Sequence, residues 1–420
     1  MKKNSIILIL SSALLLSACG GRSSGSSTSS GDSSSNSQSS SSSSSSSSLI
    51  SSGAKDVELS KATDCLSSAA TAMGSLDSFG LSLVSPSNVI KADINIGTTI
   101  IANSSSQSTQ IKNYKVDASA KDIKLDINAK GLQSKTVSDF KASATMSGSV
   151  NGSITIPSST EGMSNSVNFD YSSMSVAAYI KDGAAYADLS SKSFMNFAAT
   201  IYSLSSSKSS SSSEGFPIDP GKYTSGAGLV SESMLPLLSV DFKAAITMAA
   251  SVIASYASEY SNFIKPYSYD NGDYALSLSL TNKNIASFIN KIVSSASSSS
   301  SFSVSSTTSI FEVYASFFDI SSCEMAIVYN KEGLVSFEDN IDVSLNTTLG
   351  DVSDKLVSTG VITSSAAVPN EYRATKESLS VASSSKMSFL TGDKVVVSYP
   401  ADLDTYESLG EGSSSSSSAK

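Results

Sequence analysis

The chain has 420 residues, a formal net charge of −9 and neither histidine nor tryptophan. The negative charge, with arginine only at positions 22 and 373, predicts no nucleic-acid partner, because phosphate binding needs clustered positive charge. The absence of histidine excludes a Ser-His-Asp triad and the usual zinc sites. Hydrophobic residues make up 40% of the chain, which is enough for a sizeable core.

Residues 1–18 have the features of a secretion signal: Lys2 and Lys3, then an apolar run that ends in small residues. The motif "LSAC", which ends at Cys19, resembles the lipobox of bacterial lipoproteins. In that family the cysteine receives a diacylglyceryl group and the signal is cut just before it. The resemblance implies that Cys19 is the lipidation site and that the protein is anchored on the extracytoplasmic face of the cell membrane. A plain cleaved signal with an incidental cysteine is the alternative.

Serine dominates the residues that follow. Residues 19–54 contain almost nothing to bury and are expected to form a flexible tether, on the order of 30 Å between its ends. Residues 411–420 are expected to form a similar disordered tail. The intervening residues, 55–410, are predicted to fold as a single large domain.

The first predicted element of that domain is a helix. In "AKDVELSKATDCLSSAATAMGSL" the apolar residues recur at i, i+3 and i+4, which predicts an inward stripe of Ala62, Cys65, Leu66, Ala69 and Met73. The pairing of Cys65 is left open at this point. With Cys323 it could form one disulfide, or both could be core residues.

From about residue 88 to 190 the apolar period changes to two, which predicts strands. In "YKVDASAKDIKLDINAK" the apolar positions are even up to Ala120 and odd from Ile123. Since a shift of one residue moves a strand's apolar set to the other face, a tight turn or a β-bulge is required at Lys121–Asp122. We favour the bulge, which bends and twists a long strand.

Turn residues predict antiparallel pairing throughout. Asp182–Gly183 and Asn271–Gly272 each separate two alternating runs, as in β-hairpins. Further turns are predicted at Gly333 and Gly392, the latter within "SFLTGDKVVVSY". The pattern contains no repeated βαβ unit.

Two apolar helices are predicted among the later strands. One lies in "SVDFKAAITMAASVIASYASEYSNFI", and Pro266 ends it. The other lies in "TNKNIASFINKIV" and begins near Thr281. Small residues on the first helix, such as Ala249 and Ala250, would leave more space beside the sheet than leucines would.

The order of elements is similar to that of the lipoprotein carrier LolA and the mycobacterial lipoproteins LppX and LprG. The stretches that carry the resemblance are "YALSLSLTNKNIASFINKI", "DISSCEMAIVYNKEGLVSFEDNIDVSL" and "KVVVSYPADLDTY". It implies an α+β fold in which a strongly curved antiparallel sheet, a half-barrel, has helices packed on its concave face. It also implies a cavity for acyl chains, whose expected lining is Ala249, Val252, Ile253, Tyr256, Phe263, Phe288 and Ile292.

No enzyme motif stands in a suitable context. "GRSSG" matches G-x-S-x-G only inside the serine-rich tether, and "SSSK" lacks the partner motifs of penicillin-recognising enzymes. "DNGD" is better explained as a hairpin turn than as a calcium loop. The sequence therefore predicts no enzyme, no cofactor and no metal. The expected function is binding of a lipid or other apolar ligand, and the alternative is a structural or adhesin-like surface protein with a solid core.

Overall fold

The protein is described by a computed structural model over residues 49–102, 106–157, 164–205, 218–225, 231–288, 313–361 and 368–408. The fold is α+β, with one large, mostly antiparallel sheet and few helices. The predicted lipidation site and signal lie outside the described residues. The described chain begins at Leu49, whose backbone N–H donates to the Glu324 carboxylate at 3.3 Å. The last residues of the predicted tether therefore contact the sheet.

The sheet has 13 strands. The strands are β1 Lys55–Asp56, β2 Ser78–Ala102, β3 Ser106–Lys130, β4 Lys141–Pro157, β5 Ser164–Lys181, β6 Ala184–Asp188, β7 Lys222–Thr224, β8 Ile264–Ser268, β9 Tyr274–Ser279, β10 Phe318–Asn330, β11 Gly333–Thr348, β12 Lys376–Thr391 and β13 Glu407–Ser408. The helices of ten or more described residues are α1 Leu59–Met73, α2 Lys192–Ser205, α3 Leu235–Glu259 and α4 Leu349–Ser358. No described helix is long and apolar enough to span a membrane.

The strand order is β1-β8-β9-β10-β11-β12-β2-β3-β4-β5-β6-β7-β13. Strands β2 to β7 and strands β8 to β12 are two runs of sequential neighbours, and the long β12–β2 pair joins them. All pairs are antiparallel except β7–β13, which is parallel. The first and last strands of the chain thus lie at opposite edges of an open sheet.

The first helix forms as its apolar spacing predicts. All five residues of the expected stripe in α1 are buried. Four of them, all except Met73, pack in one cluster with residues of α3 and with Leu276 and Tyr329 of the sheet. The Tyr329 hydroxyl donates to the backbone C=O of Ala62 at 3.0 Å, so the helix is also fixed by a buried hydrogen bond. Cys65 and Cys323 are both free thiols; Cys65 is buried and Cys323 is half-buried.

The change of the apolar residues from even to odd positions in β3 occurs at a β-bulge. The β3–β4 register shifts between Lys121 and Lys124, and Asp122 has a positive φ of 52°. Neighbouring pairs shift at the same level of the sheet, at Ser384/Lys386 against β2 and at Gly148/Val150 against β5. A band of bulges therefore crosses five adjacent strands, β12, β2, β3, β4 and β5. Bulges bend strands and increase their twist.

The band of bulges divides the sheet into two halves. We call the part that contains β2 up to Val84, with its cross-strand partners, the proximal half. The part that contains β2 from Ser87 onward, with its partners, is the distal half.

Three of the four predicted turns join two strands. Asp182 and Gly183, both with positive φ, connect β5 to β6, and turns at Gly272 and Gly333 connect β8 to β9 and β10 to β11. The prediction that a strand follows Gly392 is wrong. A single 3₁₀ turn follows β12, and residues 395–400 form no strand. Because β12 already has β11 and β2 on its two sides, no free edge remains for a hairpin partner.

Candidate functional site

One face of the sheet is apolar across most of its width. Because side chains alternate along a strand, residues that are direct cross-strand partners share a face. In the proximal half a continuous row of such partners runs from β9 to β5: Leu276, Ile327, Phe337, Met387, Leu83, Leu125, Met146 and Val176. We call this the apolar face.

The opposite face is polar. Its partners in the proximal half include Lys124 with Ser147, and Asp126 with Thr145. Val84 belongs to this face, since its partners are Lys124 and Lys386. The two faces therefore differ sharply in chemistry, as expected for a sheet with one solvated side.

Helices and loops cover both ends of the apolar face in the proximal half. Helix α1, with Ala250 and Ala257 of α3, buries the region around Leu276 and Ile327. A second cluster of Leu132, Phe140 and Leu235 packs against Phe79, Ala129, Val137, Ala142 and Ile180. Leu235 begins α3, so this helix contributes to both clusters.

The apolar face continues into the distal half. One row of partners is Val343, Val381, Ile90, Ala118, Gly152 and Phe169. The next is Leu345, Leu379, Ala92, Val116, Ile154 and Val167. Strands β11 and β12 pair without a register shift, so these rows lie on the same side of the sheet as Phe337 and Met387.

Large apolar side chains in the distal half are exposed among the described residues. Ile90 is 42%, Ile94 37% and Ile156 44% accessible, and Val116 and Ile154 lie half-buried between them. We call these five residues the distal floor. Its edge nearest the bulges is low, because Ala118 and Gly152, which lie in the same row as Ile90, carry little or no side chain. A Cβ at Gly152, which has φ +150°, would lie 2.1 Å from the Asp117 carbonyl oxygen.

Described elements flank the distal floor on two sides. On the β5 side, α2 packs against the sheet through Tyr171, whose ring lies 5.8 Å from Phe197 and whose hydroxyl lies 2.6 Å from Thr200 Oγ1. On the β11 side are α4 and the helical residues 313–315, where Val313 and Ala315 are buried. Four strands separate β11 from β5, which corresponds to a span of roughly 20–25 Å.

The residues predicted to line a cavity are only partly brought together. Phe263 and Phe288 are in contact, with ring centroids 5.3 Å apart, and Ile253 packs into the α1 cluster. Val252 and Tyr256 are 47% and 53% accessible and lie on the exposed side of α3. The side chain of Ala249, and all of Ile292, lie outside the described residues. The lining role of this set stays a prediction.

The buried side of α3 differs in part from the expected lining. Among the described side chains of this helix, Leu235, Ala250 and Ala257 are buried and Ile253 is half-buried, and Tyr260 is buried just after the helix. The helix is alanine-rich over several turns, so its periodicity marks no single side clearly. The sequence patterns also did not predict the distal floor as a site. The apolar residues at even positions up to Ala120 did correctly predict that Val116 and Ala118 share one face of the strand.

Two surface pockets have mixed polar and apolar linings, and none of the predicted lining residues borders either. A pocket of about 330 Å³ lies between the β5–β6 turn, β7 and the C-terminal residues, lined by Lys181, Asp182, Ala184, Tyr186, Thr224, Leu403, Asp404 and Tyr406. One of about 290 Å³ lies on the polar face beside Lys124 and Asp126.

An ion-paired lysine lies close to the larger pocket. Lys222 Nζ lies 2.6 Å from Asp402 and 3.5 Å from Asp188, and the hydrogen bond from Lys222 lowers the pKa of Asp402. Lys222 also lies 5.4 Å from the centre of the Tyr406 ring. These contacts join the C-terminal segment to β6 and β7.

Within the described ranges, no group of three or more Cys, Asp or Glu side chains is placed to hold a metal ion. The described part of the chain thus offers an apolar surface as its most extensive chemical feature. Comparison of the chain with protein-family models, with curated proteins and with solved structures finds no match.

Proposed function

We propose that this protein is a membrane-anchored, extracytoplasmic lipoprotein that binds a lipid or other apolar ligand and has no catalytic role. The observation that carries the proposal is the exposure of Ile90, Ile94 and Ile156 on a face that is otherwise used for packing. Extended exposed apolar patches on soluble domains mark interaction sites. An acyl chain laid on this surface would gain about 0.8 kcal/mol for each buried CH₂ group.

The proposal includes the curved form of the sheet, a half-barrel with helices on its concave face. Two features support it. The bulge band crosses five neighbouring strands at one level, and bulges are the usual device for curving a sheet. Helices α1 and α3 contact residues of the apolar face, which is the side that a concave surface would present to them.

The anchor follows from the lipobox at Cys19. Two acyl chains on one cysteine would supply the two-signal attachment that a single chain lacks. The serine-rich tether would then hold the sheet within a few nanometres of the bilayer. Metabolic labelling with radioactive palmitate tests this assignment. Wild-type protein should be labelled and Cys19→Ser should not, and a labelled Cys19→Ser protein would show that the site is elsewhere.

Ligand binding is tested on the mature chain, residues 19–420, with Cys19→Ser so that no anchor lipid is present. We expect solvent extraction and mass spectrometry of the purified protein to recover acyl lipid in a stable ratio. We also expect a fluorescent fatty-acyl probe to bind and to be displaced by unlabelled lipid. A protein that carries no lipid and binds no probe would contradict the proposal.

The alternative is a surface interaction protein. The pocket between Tyr186 and Tyr406, whose lining is mixed, favours it, because aromatic and charged side chains together suit recognition of a polar partner. On that account, polar substitutions on the distal floor would leave partner binding unchanged.

A further inference from the structure

Two buried polar side chains interrupt the apolar face at the border of the distal floor. Thr347 and Glu377 are direct cross-strand partners on β11 and β12. The Thr347–Glu377 pair is the next pair after Leu345–Leu379 on the same face of the sheet. The row of cross-strand partners that contains Leu345 and Leu379 continues to Val116 and Ile154 of the floor. Thr347 is 6% and Glu377 3% accessible.

Glu377 occupies a defined position. Its two carboxylate oxygens accept from the backbone N–H of Asn95, at 2.9 and 3.1 Å, where β12 begins and β2 continues past it. Asn95 follows the exposed Ile94, so the carboxylate lies beside the floor. Burial raises the pKa of Glu377 to about 7, the Asn95 hydrogen bonds oppose that rise, and the charge of Asp93 adds to it. Tyr314 is close enough that the Glu377 charge helps to raise its pKa, after burial.

The second residue, Thr347, has a buried side chain that forms no hydrogen bond within the described residues. Its Oγ1 is buried and has no hydrogen-bond partner among the described residues. A buried hydroxyl without a partner is destabilising, and such groups are rare in native proteins. Valine has the same shape and the same preference for strands without that penalty. Packing therefore gives no reason for a hydroxyl at this position.

We propose that Thr347 and Glu377 bind the hydroxylated head group of a lipid whose acyl chain lies on the distal floor. This inference rests on the proposed function. A ligand hydroxyl donates to the Glu377 carboxylate, and a second ligand oxygen accepts from the Thr347 hydroxyl. Anionic head groups are disfavoured, because Glu377 already places a carboxyl group at this end of the floor.

The test compares two probes with the same acyl chain, a monoacylglycerol and a fatty-acid methyl ester, on the Cys19→Ser mature chain. Thr347→Val should weaken monoacylglycerol binding about tenfold, since that is the effect of one lost hydrogen bond, and should leave the methyl ester unchanged. It should not lower the stability of the protein, because the hydroxyl has no partner in the fold to lose. Thr145→Val, on the polar face, is the control and should change neither affinity.

A second variant keeps the test independent of Thr347. Glu377→Gln retains an acceptor for the Asn95 N–H, and we expect it to remove the dependence of monoacylglycerol affinity on pH between about 5 and 8. Equal binding of both probes by wild type and Thr347→Val would overturn the head-group site while leaving the proposed function intact. Binding of neither probe by wild type would overturn both.

Discussion

The proximal and distal halves of the apolar face have the same residue types and opposite environments. In the proximal half, α1 and α3 cover the region around Leu276, which is 4% accessible. In the distal half, Ile90 and Ile94 project from the same side of the sheet and remain exposed among the described residues. The difference shows that one apolar face can be packed against helices in one part and exposed in another.

The largest expected effect tests whether the two halves differ in stability. Leu66→Ala, in the centre of the α1 cluster, should lower the free energy of unfolding by about 4 kcal/mol, because it leaves a cavity in a fully buried site. Ile90→Ala, in the distal half, should lower it by less than about 1 kcal/mol. Denaturant unfolding of both variants measures the contrast. Equal losses would mean that the distal floor is covered as the proximal half is.

The pH dependence of stability should come from the border of the distal half. The folded-state pKa of Glu377, about 7, lies above its ordinary value of 4.5, so the folded state holds this proton more tightly than the unfolded chain. The stabilisation is complete below about pH 4.5 and is lost as the pH rises through 7, a fall of about 3 kcal/mol. Unfolding of wild type and Glu377→Gln across this range checks the sign. The Gln variant should lack this contribution, and an unchanged slope would assign it to other groups.

A smaller effect is expected on α3, which contributes to the proximal half. Ala250→Phe should lower the free energy of unfolding by about 2 kcal/mol, because Ala250 is packed against the α1 cluster and a larger side chain would overpack it. Met248→Phe, on the exposed side of the same helix, is the control and should have little effect. If Ala250→Phe is tolerated as well as Met248→Phe, α3 does not pack as the structure shows.

Local chemistry made several elements predictable. The stripe from Ala62 to Met73 specifies which side of α1 is buried, and the parity change at Lys121–Asp122 specifies a bulge, because both depend on neighbours in sequence. In the alanine-rich helix α3 the expected lining residues Val252 and Tyr256 are exposed, since small apolar residues occur on several sides of this helix. The missing strand after Gly392 reflects tertiary pairing, as β12 has no free edge.

The candidate site was less predictable than the fold. The even-numbered run around Val116 indicated which side of β3 is apolar, but whether a helix covers that side depends on residues far away in the chain. Glu377 is a further case. Its burial depends on Asn95, about 280 residues earlier, and on the sheet order that brings β12 beside β2. No local pattern around Glu377 carries this information.

The central claim is that the distal floor binds an acyl ligand, and one pair of variants in β2 tests it most directly. Ile90 and Val84 are equally exposed, at 42% and 44%, but lie on opposite faces of the sheet. Binding of a fluorescent fatty-acyl probe should be measured on the Cys19→Ser mature chain carrying Ile90→Lys or Val84→Lys. We expect Ile90→Lys to weaken binding at least tenfold, because it places a charge on the apolar surface, and Val84→Lys to leave it unchanged. Equal affinity in the two variants would contradict the account.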